Sequence, residues 1–166
     1  MVKLLVQIGM ELEGVTNVRP AEPYEYFFNV LCTSCREEHP KVVSFNQGEE
    51  HELSGSRGSA HFVWRCGNCK KEHSASFAAP SAASKSTAPV PYSAANGALA
   101  PFVALDCRGL EVTRFHFRGG WLADAEESGE TFEVDLDEGE ERWDDYDESA
   151  SAPVSVSEFT SAVKRI

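Results

Sequence analysis

Tyr24-Glu25-Tyr26-Phe27-Phe28-Asn29-Val30-Leu31-Cys32-Thr33-Ser34-Cys35 is the stretch on which the fold turns. Its first eight residues are rich in aromatic and β-branched side chains, the composition of a strand, and they run straight into a Cys-x-x-Cys pair. The arrangement recurs where Ala60-His61-Phe62-Val63-Trp64-Arg65 leads into Cys66-Gly67-Asn68-Cys69. Each pair is therefore expected in a turn at the tip of a hairpin. Two tight turns presenting four thiolates supply the donor set that tetrahedral Zn²⁺ prefers, with each sulfur about 2.3 Å from the ion. The expectation is a zinc-ribbon-like Cys₄ site built from Cys32, Cys35, Cys66 and Cys69, holding one Zn²⁺ per chain. Thirty residues separate Cys35 from Cys66, more than the 15 to 20 of compact zinc modules, so a hairpin and loop should lie between the two turns.

Working outward, the N-terminal run alternates, with Val2, Leu4, Val6, Ile8, Met10 and Leu12 on one side and Lys3, Gln7, Glu11 and Glu13 largely on the other. That is a half-buried strand. Similar runs at 41–45, 72–77, 102–107, 114–118, 131–136 and 154–157 are punctuated by Gly and Pro, and no segment holds ten residues of helical periodicity. The fold class is mainly β. Residues 78–101 are rich in Ala, Ser and Pro, too poor in large apolar groups to offset their own ordering entropy, and read as a linker or long loop. The resulting division is a zinc-binding β lobe at 1–77, the 78–101 segment, and an acidic β lobe at 102–166, two small sheet or sandwich-like lobes in all.

The 166 residues carry a formal net charge of −12. Fourteen acidic residues and one arginine fall within 124–148, so the acidity is a local patch. A chain of this charge repels phosphate backbones and anionic lipid, which argues against nucleic acid and membranes as partners. The apolar N-terminal run is broken and followed by acid, unlike a signal peptide, and no run of 18 apolar residues occurs. Five cysteines, an odd number, with Cys-x-x-Cys spacing suit a reducing compartment, and a cytoplasmic location extending to the nucleus is expected.

Four cysteine ligands close a site, whereas catalytic zinc keeps a position open. The readings that stand are a structural zinc, a transferable Zn²⁺ or Cu(I), and a redox dithiol. The last requires a pair at a helix start, and neither pair precedes one. Arg36, Lys70 and Lys71, directly after the pairs, are placed to offset the double negative charge of Zn(Cys)₄. Cys107 ends an apolar run and is expected to be inert packing. His39 and His73 each follow the second Cys of a pair by four residues and are expected at the surface or beside the metal without ligating it. No Ser/His/Asp order, nucleophile elbow or phosphate loop is present, and no enzymatic activity is expected.

Leu12-Glu13-Gly14-Val15-Thr16-Asn17-Val18-Arg19-Pro20, the two Cys-x-x-Cys pairs, Gly55-Ser56-Arg57-Gly58-Ser59-Ala60, Cys107-Arg108-Gly109-Leu110-Glu111 and Trp143-Asp144-Asp145-Tyr146-Asp147-Glu148, taken in order, resemble the eukaryotic CXXC-motif-containing zinc-binding protein family. The resemblance spans the chain and implies a small, mainly β, two-lobed cytosolic protein with one Zn²⁺ on Cys32, Cys35, Cys66 and Cys69. It also implies no established enzymatic activity and an association with the copper chaperone that serves superoxide dismutase. The function expected is a zinc-binding, non-enzymatic adaptor acting as a monomer on a protein partner. The alternatives are a metal-handling protein exchanging Zn²⁺ or Cu(I) with a metallochaperone and, behind it, a thiol oxidoreductase. Arg57 and Arg108 are expected to pair with the carboxylates of 145–148 and hold the lobes together.

Overall fold

The computed structural model describes residues 2–55, 58–81, 85–136 and 140–166. Among the described residues fourteen strands carry the fold: β1 (Val2–Glu13), β2 (Val15–Pro20), β3 (Tyr26–Cys32), β4 (Val43–Phe45), β5 (His51–Glu52), β6 (Ser59–Ala60), β7 (Phe62–Arg65), β8 (Glu72–Ala78), β9 (Ala100–Arg108), β10 (Leu110–His116), β11 (Gly120–Ala125), β12 (Thr131–Asp135), β13 (Arg142–Asp147) and β14 (Ala152–Arg165). The described residues contain a single 3-10 turn at Ala94–Asn96 and no α-helix, hence no helix long and apolar enough to cross a membrane. The chain is mainly β, as the alternating patterns require.

The largest sheet runs β13-β14-β1-β9-β8-β7, all antiparallel neighbours. Two three-stranded sheets, β10-β3-β4 and β12-β11-β2, pack with it. The six-stranded sheet takes β1, β7 and β8 from residues 1–77 and β9, β13 and β14 from residues 102–166 and their approach, so the two expected lobes share one sheet. β1 is the pivot, paired with β14 from Leu4↔Arg165 to Glu13↔Ser155 and with β9 from Val2↔Cys107 to Ile8↔Ala100.

The sheets meet on an aromatic core. Phe102 of β9 stacks on Trp121 of β11 at 5.5 Å and lies 5.3 Å from Phe115 of β10, which in turn is 5.5 Å from Phe28 of β3. All four rings are fully buried. Four strands from three sheets are thus tied by one cluster, and aromatic pairs in such offset or tilted geometries add to the burial energy itself. Leu4, Val6, Ile8 and Met10 of β1 join the same core.

Of the 78–101 segment, Ala78 ends β8 and Ala100 opens β9, and the long loop between them is pinned at several of its described residues. Tyr92 is buried and exchanges both backbone hydrogen bonds with Val18, its hydroxyl donates to the Gly97 carbonyl, and Thr87 and Gln47 bond each other twice. The loop passes so close to β1 that a Cβ on Gly9 would sit 1.8 Å from the Ala98 carbonyl oxygen. A glycine inside a strand marks such an approach of backbone to backbone.

The expected tie between Arg108 and residues 145–148 is not made. Arg108 ends β9, whereas Asp145 and Tyr146 lie on β13, with β1 and β14 in between, and among the described residues no ion pair joins them. Arg57, the other half of that expectation, lies outside the described residues.

Because Phe102 joins three sheets, Phe102→Ala is expected to cost about 3–5 kcal/mol of stability, read as a lower urea midpoint by near-ultraviolet circular dichroism. A loss below about 1 kcal/mol would mean the sheets are held by something else.

Candidate metal centre

The two Cys-x-x-Cys pairs fold as near copies of one another. In the first, Cys32 accepts at its carbonyl from the Arg36 N–H at 2.8 Å and donates its own N–H to the Glu37 carbonyl at 3.0 Å. In the second, the Cys66 carbonyl accepts from Lys70 N–H at 3.0 Å and the Cys66 N–H donates to the Lys71 carbonyl at 2.9 Å. The residue after each second cysteine takes a left-handed conformation, φ 65° at Arg36 and 64° at Lys70, and this closes the loop and turns both sulfurs inward. Arg36 and Lys70 therefore shape the turn with their backbones. The Lys70 ammonium donates to the Gly67 carbonyl and Arg65 donates to the Lys70 carbonyl, each at 2.7 Å.

β3 and β7 deliver these turns to the same point. The sulfurs of Cys32, Cys35, Cys66 and Cys69 all lie within 4.8 Å of one another. The short contacts run between the turns, Cys32 to Cys69 at 3.6 Å and Cys35 to Cys66 at 3.7 Å. A tetrahedron with metal–sulfur bonds of about 2.3 Å has edges of about 3.8 Å, so the cluster fits a tetrahedral soft cation with little adjustment. Cys32 and Cys66 are buried, and Cys35 and Cys69 are half-buried on the outer side.

Among themselves, before any cation is added, the thiols separate in acidity. The Asn68 side chain and the Glu37 backbone bring Cys35 down to about 6. Cys69 accepts a hydrogen bond from the Lys71 backbone, yet burial and the sulfurs of Cys32, Cys66 and Cys35 push it up to about 11. The split therefore has two sides, the donors gathered on Cys35 and the burial and neighbouring sulfurs that act on Cys69.

Around the cluster the structure places residues that the sequence reading left unassigned. Gly109, in the turn between β9 and β10 at φ 81°, accepts at its carbonyl from both the N–H and the hydroxyl of Thr33, in the first cysteine turn. A Cβ on Gly109 would lie 2.0 Å from Nδ1 of His73. The clue lay within Cys107-Arg108-Gly109-Leu110-Glu111, where a glycine interrupts two β runs, but no local pattern shows what a glycine will touch. His73, expected at the surface or beside the metal, is buried, with Nε2 3.1 Å from the Cys32 sulfur. Burial, followed by the nearby Lys71 charge, lowers its pKa. His39 instead packs edge-on against Trp64. Cys107 is buried in the core, where burial and the neighbouring Asp106 and Glu111 push its thiol up to about 12; it is not among the four clustered sulfurs.

The family model described as "CXXC motif containing zinc binding protein, eukaryotic" matches residues 5–164. The chain is 33% identical to the CXXC motif containing zinc binding protein of Homo sapiens, with 95% of each chain covered. It is 34% identical to a UPF0587 protein of Schizosaccharomyces pombe, with 98% of each covered. The crystal structure of C1orf123 superposes with a TM-score of 0.85 at 31% identity over 99% of both chains. The family is zinc-binding by its description, and this chain carries a four-cysteine cluster suited to hold the metal. The chain belongs to the eukaryotic family of CXXC motif containing zinc binding proteins.

Proposed function

We propose that the protein is a non-enzymatic, zinc-dependent adaptor in which Cys32, Cys35, Cys66 and Cys69 hold one structural Zn²⁺ and the acidic face recruits a basic protein partner. The observation that carries the metal half is the sulfur geometry, four thiols converging from two matched turns at near-tetrahedral spacing. Four protein ligands fill the coordination shell and leave no position for substrate or water, the arrangement of structural sites. The acidic half is supported by the placement of β13 on the outer edge of the large sheet, with Asp144, Asp145 and Tyr146 exposed. Charged edge strands resist indiscriminate pairing while offering a field to a complementary surface.

A second reading, exchange of Zn²⁺ or Cu(I) with another protein, draws on the half-exposure of Cys35 and Cys69. One outer thiolate from each turn is open to an incoming ligand, as stepwise transfer requires. Rapid loss of metal to a chelator without unfolding would favour exchange over a purely structural role.

Metal analysis of purified protein is expected to give close to one zinc per chain and about none for Cys66→Ser. A ratio near zero in the wild type, with all thiols free, would remove the foundation of the proposal. The acidity split adds a sign. Cys69, with a pKa near 11, is protonated at neutral pH and must lose that proton to bind metal. Apparent zinc affinity should therefore rise with pH, by up to about tenfold per unit between pH 6.5 and 7.5 for each proton displaced. A competition titration with a chromogenic chelator measures this, and a flat profile would contradict four-thiolate coordination.

For the partner, a pull-down with the wild type and with Asp144→Lys/Asp145→Lys/Glu148→Lys should show a basic protein that is lost with the charge reversal and weakened by salt. Equal capture by both chains would place the interaction elsewhere.

A further inference from the structure

The two cysteine turns are related by an approximate symmetry that extends to a histidine four residues after each second cysteine, His39 after Cys35 and His73 after Cys69. The structure treats the two differently. His73, the second residue of β8, pairs across to Trp64 of β7 and reaches the opposite turn, placing Nε2 3.1 Å from the Cys32 sulfur. Its other ring nitrogen is pressed against the bare Cα of Gly109, where any Cβ would come within 2.0 Å. Gly109 in turn grips Thr33, the residue after Cys32, through two hydrogen bonds. Among the described residues His39 makes no such contact with Cys66: its ring packs edge-on against Trp64 at 5.4 Å, and Trp64 lies 5.8 Å from His73.

We infer that His73 is a positioning residue of the metal centre, its Nε2–H donating to the Cys32 thiolate and holding that sulfur on the metal, and that His39, its counterpart by position, has no such role. The inference rests on the reading of the four cysteines as metal ligands. A thiolate bound to metal has no proton to give, so the hydrogen of this contact belongs to the imidazole, whose Nδ1 side faces Gly109. Cys32 is wholly buried and cannot take a donor from bulk water. The imidazole supplies one, spreading part of the charge that four thiolates bring to a single divalent ion. Groups that orient metal ligands in this way typically govern affinity by 10–100-fold.

The test compares His73→Phe and His73→Met, which fill the space without an N–H, with His73→Gln, which keeps a side-chain N–H, and with His39→Phe as the positional control. Each is loaded with Zn²⁺ for chelator-driven release and with Co²⁺ for the sulfur-to-metal charge-transfer band. The expected result is release about 10–100-fold faster in the Phe and Met variants with a shifted cobalt band, substantial rescue in His73→Gln, and wild-type behaviour in His39→Phe. Unchanged release in the Phe and Met variants overturns the inference. So does equal impairment of Phe, Met and Gln with an unmoved cobalt band, which is the mark of packing alone. A wild-type chain that binds no metal overturns the four-cysteine reading and this inference together, whereas a wild type with one metal and an indifferent His73 overturns this inference only.

Discussion

Four sulfurs packed to contacts of 3.6 and 3.7 Å are the constraint around which one end of the molecule is organised. As thiolates, each close pair would repel by roughly 4 kcal/mol at an effective dielectric of about 20. Such a cluster is stable only with a cation at its centre or with protons left on some of the sulfurs, and the opposite directions in which Cys35 and Cys69 are pushed fit the second solution. A divalent soft ion supplies the first and releases the protons. The surrounding structure brings the sulfurs together: matched hydrogen bonds within each turn, left-handed Arg36 and Lys70 closing them, and the Gly109 turn clasping the first through Thr33.

The metal end and the aromatic core are mechanically linked yet distinct. Cys32 ends β3, whose Phe28 lies in the core, while Cys66 follows β7, the edge of the large sheet. Binding free energy for a structural zinc, about 10–16 kcal/mol, is comparable with the whole stability of a domain of about 5–15 kcal/mol. Here it acts on two turns that lie outside the main hydrophobic cluster, so its effect falls chiefly on the relative placement of β3 and β7. The six-stranded sheet has its own source of stability in the rings of Phe28, Phe102, Phe115 and Trp121.

What could be read in advance followed from local chemistry. The alternation of β1, the aromatic approach of β3 to Cys32 and the pattern of β12, with Val134 and Leu136 buried and Glu133 and Asp135 outside, are all periodicities a single strand displays. Cys-x-x-Cys spacing likewise needs no tertiary knowledge. What escaped was set by partners. β13 reads Arg-Trp-Asp-Asp-Tyr-Asp, a composition poor for a strand and suggestive of a solvated acidic run, but β14 pairs it from Arg142↔Ser157 to Asp147↔Ala152. β2 and β11 are only six residues each, and become strands by pairing with each other and, for β11, with β12 as well. The proposed Arg108 tie joined two conspicuous charges without knowledge of strand order, and β14 and β1 stand between them. His73 and Gly109 gained their roles only when β7, β8 and β9 came side by side.

β1 lies near the middle of the large sheet, yet both strands that satisfy it come from far along the chain, β9 after residue 99 and β14 after residue 151. During synthesis β1 must wait, with both hydrogen-bonding edges open, until β9 and then β14 have followed. An apolar strand with two open edges is a template for wrong pairing, and closure across such sequence separation is slow. Gly9 and the bulges in both of its ladders interrupt the flat edge that a foreign strand would need. The feature that centres the finished sheet thus also keeps an edge of β1 open until β14 is in place.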